Sequence, residues 1–430
     1  MTAQLPLDRR SALRAAAGLG LSLTFLGRQA FAASDEALSR RKLVVFVCRG
    51  AMDGLSVSPP VGDPDYAALR GEIAIASFGQ PNGALPLDDT FGLHPKLATV
   101  HALALKGQAR IAPAVATPDR ARSHFEAQDV LESGTAAVYA ESSGWLNRAM
   151  QAMGPARKVQ ALSVGGQAPL ILRGAIQAAS WSPGGYKDRD ARLPAILADL
   201  YADDPLLGPA LASGLQTEAM AKIATAAGGP AMAANGPQAP TTPPSGASPP
   251  QTPAGYQRAG QAAARDLGVT LAHFMTEPGG PQIAAVSLDG FDTHANQGGA
   301  DGQLANRLAY MDAAIDGLSS GLGAEWRNTV VLVATEFGRT ARINGTKGTD
   351  HGTGSTALVL GGGLKRGGII GDWPTLQQAR LFENRDTYPA LDMRALFKGV
   401  LAEQMGVERR ALDTTVFPGA ATVEPVRGIV

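Results

Sequence analysis

The chain of 430 residues contains a single cysteine, Cys48. One thiol excludes an intrachain disulfide and any metal site built from clustered thiolates. Aromatic residues are scarce at 5%, too few for a surface that works mainly by stacking on bases or sugars. Net charge is missing as well: 38 Lys and Arg balance 38 Asp and Glu. That balance excludes nucleic-acid binding through bulk basicity, and it excludes a disordered acidic tail. Histidine is rare, with six copies, so a histidine-based site can be searched in full. In supply are 52 Gly, 29 Pro and 45% hydrophobic residues. Such a chain is rich in turns and can still bury a sizeable core, in one large domain or two ordinary ones.

Residues 8–14 read DRRSALR, residues 15–26 read AAAGLGLSLTFL, and Ala30-Phe31-Ala32 comes next. A charged start, a short apolar middle and a small-x-small site predict a signal peptide over residues 1–32. The Arg9-Arg10 pair ahead of a weak apolar core points to the twin-arginine type. The expected partner is then the twin-arginine export machinery, and the expected destination is the periplasm or the exterior. The apolar middle is too short to cross a hydrocarbon core, which takes about 20 residues, and no later run is long enough. Cleavage after Ala32 removes Arg9, Arg10, Arg14, Arg28 and Asp8, so 34 basic residues face 37 acidic ones and the balance becomes −3.

Beyond the signal, short apolar runs predict strands at 42–47, 109–115, 282–288, 329–335 and 356–362, with two more in VQALSVG (159–165) and PLILRG (169–174). Helical spacing predicts helices at 95–106, 144–153, 191–226, 256–274, 302–321 and 391–404. Continuous apolar strands separated by helices predict an α/β fold, with a mostly parallel central sheet and helices on both faces. Residues 228–254 hold eight prolines and no charge. They are expected to form a loose loop inserted in one domain over 42–405, with 406–430 as a C-terminal tail.

Ligands in such sheets bind beyond the carboxyl ends of the strands. The first strand is followed by Asp53. The run 282–288 is followed by Asp289, Asp292 and His294 in DGFDTH, and the run 329–335 by Glu336 in EFGR. The loop GTDHGTG carries Asp350 and His351 just before the next strand. Any one of these acids can be a plain cap or turn residue. Together they place carboxylates and imidazoles, without thiolates, on one predicted edge. That combination predicts a divalent metal site, and Zn, Mn, Mg and Ca are all compatible with it. Of the other histidines, His101 lies on an apolar helical stripe, His273 near a helix end and His94 at a helix entry; all three are read as structural. His124, in RSHFEAQD (122–129), starts a helix with Ser123 placed to cap it. A helix N-terminus also favours a nucleophile or a bound anion.

The set VSLDGFDTHANQ, VVLVATEFGRT, NGTKGTDHGTG and LVLGGGLKRGG with IIGDWP, together with RSHFEAQDVLESG and RGAMDGL, resembles the bacterial family numbered 1501 among domains of unknown function. The match spans roughly 42–405. That family resembles a distant branch of the alkaline phosphatase and sulfatase superfamily. The resemblance implies an alkaline-phosphatase-like α/β fold with a metal site at the strand ends. It assigns Asp53, Asp292, His294, Glu336, Asp350 and His351 to the metal. It puts Ser123, or else Thr117, at the nucleophile position, with His124 beside it. Phe337 stands where the superfamily has a histidine, and no Cys-x-Pro-x-Arg segment exists to form a sulfatase's formylglycine. The expected function is an exported metal-dependent hydrolase acting on small phosphate or sulfate esters. Arg49, Arg122 or Arg339 are candidate clamps for the anion. The alternatives are an exported metal- or ligand-binding protein that keeps the fold without turnover, and an assembly partner that uses the Pro-rich loop as a contact.

Overall fold

The computed structural model describes residues 37–154, 159–165, 169–182, 253–365 and 367–430. The expected signal at 1–32, the helix expected at 191–226 and nearly all of the Pro-rich loop lie outside the described residues. The chain divides into two compact units, Met1–Arg41 and Lys42–Val430. The sheet, its two cores and the candidate site all belong to the second unit.

Eight strands among the described residues form one sheet. They are β1 (Lys42–Cys48), β2 (Ala109–Ala116), β3 (Ala161–Val164), β4 (Ala179–Trp181), β5 (Ile283–Leu288), β6 (Thr329–Ala334), β7 (Ser355–Leu360) and β8 (Leu391–Asp392). Their order across the sheet is β8-β2-β7-β6-β1-β5-β3-β4. Central β1 pairs in parallel with β5 and β6. Strand β7 runs against both β6 and β2, and the other pairings are parallel. The expected α/β class with a mostly parallel sheet is therefore what the chain adopts.

The run KLVVFVC reads as continuously apolar after Lys42 because β1 is buried on both faces. Side chains alternate: Val44, Phe46 and Cys48 enter one core, and Leu43, Val45 and Val47 enter the other. The first core is covered by α1 (Ala98–Leu105), α4 (Pro253–Thr276) and α5 (Gln303–Leu322). The second is covered by α3 (Trp145–Met153) and α6 (Met393–Met405), with α2 (His124–Ser133) at its border through Leu131. Trp145 stacks on Phe397 and Phe417 at centroid distances of 4.8 and 5.6 Å. Residues 406–430 come after the last core helix, yet Leu412, Val416, Phe417, Ala420 and Ile429 are all fully buried in the second core.

Several expected bounds shift, and two of the differences have a visible cause. PLILRG is not a strand but a short 3-10 turn at Leu170–Leu172. Pro169 has no N–H to give a ladder, and the Ile171 N–H donates to the buried Glu132 carboxylate at 3.0 Å instead. Helix α1 begins at Ala98 rather than 95. His94 holds a separate turn first, its Nδ1 accepting from the Lys96 N–H at 3.1 Å.

The reversed direction of β7 positions the site. The carboxyl ends of β1, β5 and β6 share one edge of the sheet, and the amino end of β7 lies on that same edge. The loops at 49–53, 289–302 and 335–354 therefore meet. Among the described residues no helix is long and apolar enough to cross a membrane.

Candidate metal centre

His124 is the first residue of α2, with Ser123 as an extended N-cap at φ −98° and ψ 125°. The His124 Nδ1–H donates to Glu336 Oε1 at 2.8 Å. Glu336 is fully buried and also accepts from the Gly50 N–H at 2.8 Å, Gln128 Nε2 at 3.3 Å and Thr335 Oγ1 at 2.9 Å. Burial alone pushes the Glu336 carboxyl up, but these donors, His124 foremost, outweigh it and hold it below its ordinary value. In turn the Glu336 hydrogen bond raises the His124 pKa. With Nδ1 engaged, His124 turns Nε2 inward, 3.4 Å from Asp292 Oδ2. That Nε2 is buried and has no hydrogen-bond partner.

His351 repeats the arrangement from another loop. Its Nδ1–H donates to the Arg122 carbonyl at 2.9 Å, and its Nε2 lies 3.3 Å from Asp292 Oδ1. Burial lowers its pKa. His294 places Nε2 3.0 Å from Asp292 Oδ1 and 3.0 Å from His351 Nε2, while its Nδ1 faces Asp350 Oδ1 at 3.6 Å. Each of the three imidazoles thus turns Nδ1 outward to an oxygen and Nε2 inward. The tautomers of His124 and His351 follow from their hydrogen bonds, since an Nδ1 that donates leaves Nε2 as a lone pair. Metal-ligating imidazoles are held in this way.

His124, Asp292 and His351 each present one ligand atom within 4.8 Å of the others. Ligand atoms around one ion with bonds of about 2.0–2.1 Å stand roughly 3–4 Å apart. The separations of 3.3 and 3.4 Å fit one ion; His294 Nε2 borders that group, 3.0 Å from Asp292 Oδ1 and from His351 Nε2. The unpartnered His124 Nε2 fits it too, because an orphaned buried acceptor is otherwise costly.

Two residues frame the group. Phe337 is buried against His124 and His351, with ring centroids 5.0 and 4.9 Å away. Arg339 is buried and binds Asp292 Oδ1, while its other donors reach the carbonyls of Ala51 and Gly50 at 2.8 Å, Thr349 at 3.1 Å and Phe291 at 3.3 Å. Burial raises the Asp292 carboxyl, but the Arg339 hydrogen bond and charge reverse the sign, so its pKa is lowered. Close approach of these loops needs Gly50, at φ +109°: a Cβ there meets the Asp292 backbone nitrogen at 2.6 Å.

The six expected metal residues therefore separate. Asp292, His294 and His351 come together, and His124, expected as a catalytic residue, joins them. Glu336 stands behind His124 as the acceptor of its Nδ1 proton. Exposed Asp350 stands behind His294 and accepts from Asn344 Nδ2 at 3.0 Å. Asp53 is outside the group. It is 1% exposed and paired with Arg70, which is 0% exposed. It also accepts from Ser56 Oγ at 2.8 Å and Gln297 Nε2 at 2.7 Å.

Ser123 is half-buried and makes no side-chain cap hydrogen bond. Thr117 is buried, its Oγ1 donating to the Glu336 carbonyl at 3.2 Å. The three expected clamps are all committed: Arg49 to Gln128 and Glu132, Arg122 to Glu383 and Asp386, and Arg339 to Asp292. His101 and His273 rest against Pro86 and Glu277, away from the group. Arg70, Gln297 and Asp386 carry no local sequence signal, because their roles arise only from contacts between separate segments.

The chain matches the family model described as "Protein of unknown function (DUF1501)" over residues 40–416, and it belongs to that family. Among curated proteins no sequence match is found. Among solved structures the chain is similar to the C-terminal periplasmic domain of EcEptC from Escherichia coli in complex with Zn. The TM-score is 0.31 at 10% identity, covering 75% of this chain and 73% of that chain.

Proposed function

We propose that the protein is an exported metal-dependent hydrolase of small phosphate or sulfate esters, with one divalent cation held by His124, Asp292, His294 and His351. The observation that carries this reading is the convergence of three imidazole Nε2 atoms on Asp292, with the Nδ1 atoms of His124 and His351 hydrogen-bonded to oxygens and that of His294 facing one at 3.6 Å. Neutral imidazoles with one carboxylate suit zinc better than magnesium or calcium, which prefer all-oxygen shells. When bound, the cation supplies Lewis-acid stabilisation of charge on an ester oxygen.

The chain's own residues do the rest. Glu336 and the Arg122 carbonyl keep the protons of His124 and His351 on Nδ1. Phe337 closes one side of both rings against water. Arg339 offsets the charge of Asp292, so the loaded site keeps a positive charge that attracts an anion. The start of α2 adds, beside His124, the first-turn backbone N–H groups that a helix leaves without intrahelical partners. Ser123 is the nucleophile in this reading, because its hydroxyl stands one residue from His124 and is not spent on capping. Residues 1–32 act as the twin-arginine signal.

One observation favours the non-catalytic alternative: Arg49, Arg122 and Arg339 are all paired, leaving none of them free to hold a substrate oxygen. Metal analysis combined with turnover of aryl phosphate, phosphodiester and aryl sulfate, before and after chelation, decides between the two. One ion per chain with chelation-sensitive turnover is expected. One ion per chain with no turnover of any ester establishes the binding protein instead.

A further inference from the structure

We propose that Asp386 is the positioning residue of the metal centre, locking His351 from both sides through two arginines; the proposal rests on the metal reading above. Asp386 is fully buried. Its Oδ2 accepts from Arg122 Nε at 3.0 Å, and its Oδ1 accepts from Arg385 Nε at 2.8 Å. Arg122 presents its carbonyl to the His351 Nδ1–H at 2.9 Å. Arg385 donates through Nη2 to the His351 backbone carbonyl at 2.7 Å. Thr353, two residues beyond His351, donates its Oγ1 to Asp386 Oδ2 at 2.9 Å. One carboxylate thus holds the acceptor of the imidazole proton, the backbone of the same residue and the strap just beyond it.

The backbone of Arg122 shows why a clamp is needed. Arg122 sits at φ +57°, in the left-handed region. A non-glycine residue stays there only where its surroundings hold it. Its side chain is fixed by Asp386 and by Glu383 at 2.5 Å. The conformation sets where its carbonyl points, and so which nitrogen of His351 carries the proton. The same bend leads directly into Ser123 and His124, so both imidazoles of the three-residue group depend on it.

The test uses the full chain, with zinc as the probe. Zinc affinity is read by chelator competition, and hydrogen exchange of the His351 Nδ1–H is read by NMR on metal-free protein. Asp386→Asn is expected to weaken zinc binding about 10- to 100-fold and to speed Nδ1–H exchange about as much. Glu383→Gln, at the exposed end of the same arginine, is expected to change both by less than about 2-fold. Should Asp386→Asn fail to fold, Arg122→Ala replaces it, since alanine still strains the left-handed backbone while removing the guanidinium that the clamp holds; the same losses are expected. Wild-type zinc affinity together with unchanged exchange in a folded variant overturns the proposal. Absence of zinc binding in the unaltered chain overturns the metal reading instead, and the exchange comparison still judges the clamp.

Discussion

Asp53 and Asp292 occupy equivalent places after neighbouring strands, and each meets a buried arginine, yet they end in different chemistry. Asp53 is 1% exposed and surrounded by donors from Arg70, Ser56 and Gln297. The Asp292 side chain is 42% exposed and faces three imidazoles as well as Arg339. In the first case the guanidinium answers the charge inside a dry interior. In the second it holds one oxygen in place and leaves the carboxylate at an open edge. Position after a strand thus does not make an aspartate a ligand; what its neighbours can still accept does.

That contrast breaks most visibly in the interior. Arg70→Met leaves Asp53 charged and uncompensated, and is expected to cost about 3–5 kcal/mol of stability in urea unfolding. By contrast, His294→Ala at the exposed edge is expected to stay within about 1 kcal/mol of the parent in stability while weakening zinc at least about 100-fold, since it deletes a proposed ligand. Equal stability losses in the two variants would erase the distinction.

The interior also carries its own pH dependence. His94 is fully buried, its Nε2 donating to the Gly299 carbonyl at 3.1 Å in the loop that brings Gln297 to Asp53. Desolvation by burial lowers its pKa from 6.5 to about 4. The unfolded chain therefore takes up this proton first as pH falls. The His94 contribution is whole above about pH 6.5 and is lost as pH falls to about 4, by about 3 kcal/mol. His94→Gln is expected to flatten that part of the stability profile, and an unchanged slope would show that the proton goes elsewhere. A smaller effect is expected at Glu336→Gln, which keeps the shape but weakens the hold on the His124 proton. Zinc affinity should fall about 10-fold, with the loss read by chelator competition, and parent affinity would deny Glu336 its orienting role.

Much of the architecture is legible in the chain. Continuous apolar runs such as KLVVFVC announce strands buried on both faces, and DGFDTH comes directly after such a run, so its acids and imidazole fall on the ligand edge. GTDHGTG is harder, because it precedes a strand. In an all-parallel sheet that loop lies at the opposite edge, and only the reversal of β7 brings His351 back. Nothing local in STALVL reports that reversal, since a buried strand is apolar in either direction. Glu336 is visible as a strand-end carboxylate, but whether it meets an ion or an imidazole depends on α2, 212 residues away. Asp53 looks like a ligand because its partner Arg70 lies 17 residues off, with no motif between them.

In the proposed site three inward Nε2 atoms and Asp292 surround one divalent ion. X-ray absorption on zinc-loaded full-length protein tests it most directly. The expected result is one zinc per chain, with three imidazole nitrogens at about 2.0–2.1 Å and one carboxylate oxygen at a similar distance. Two ions per chain, or a single zinc whose shell lacks imidazole scattering, would contradict that site.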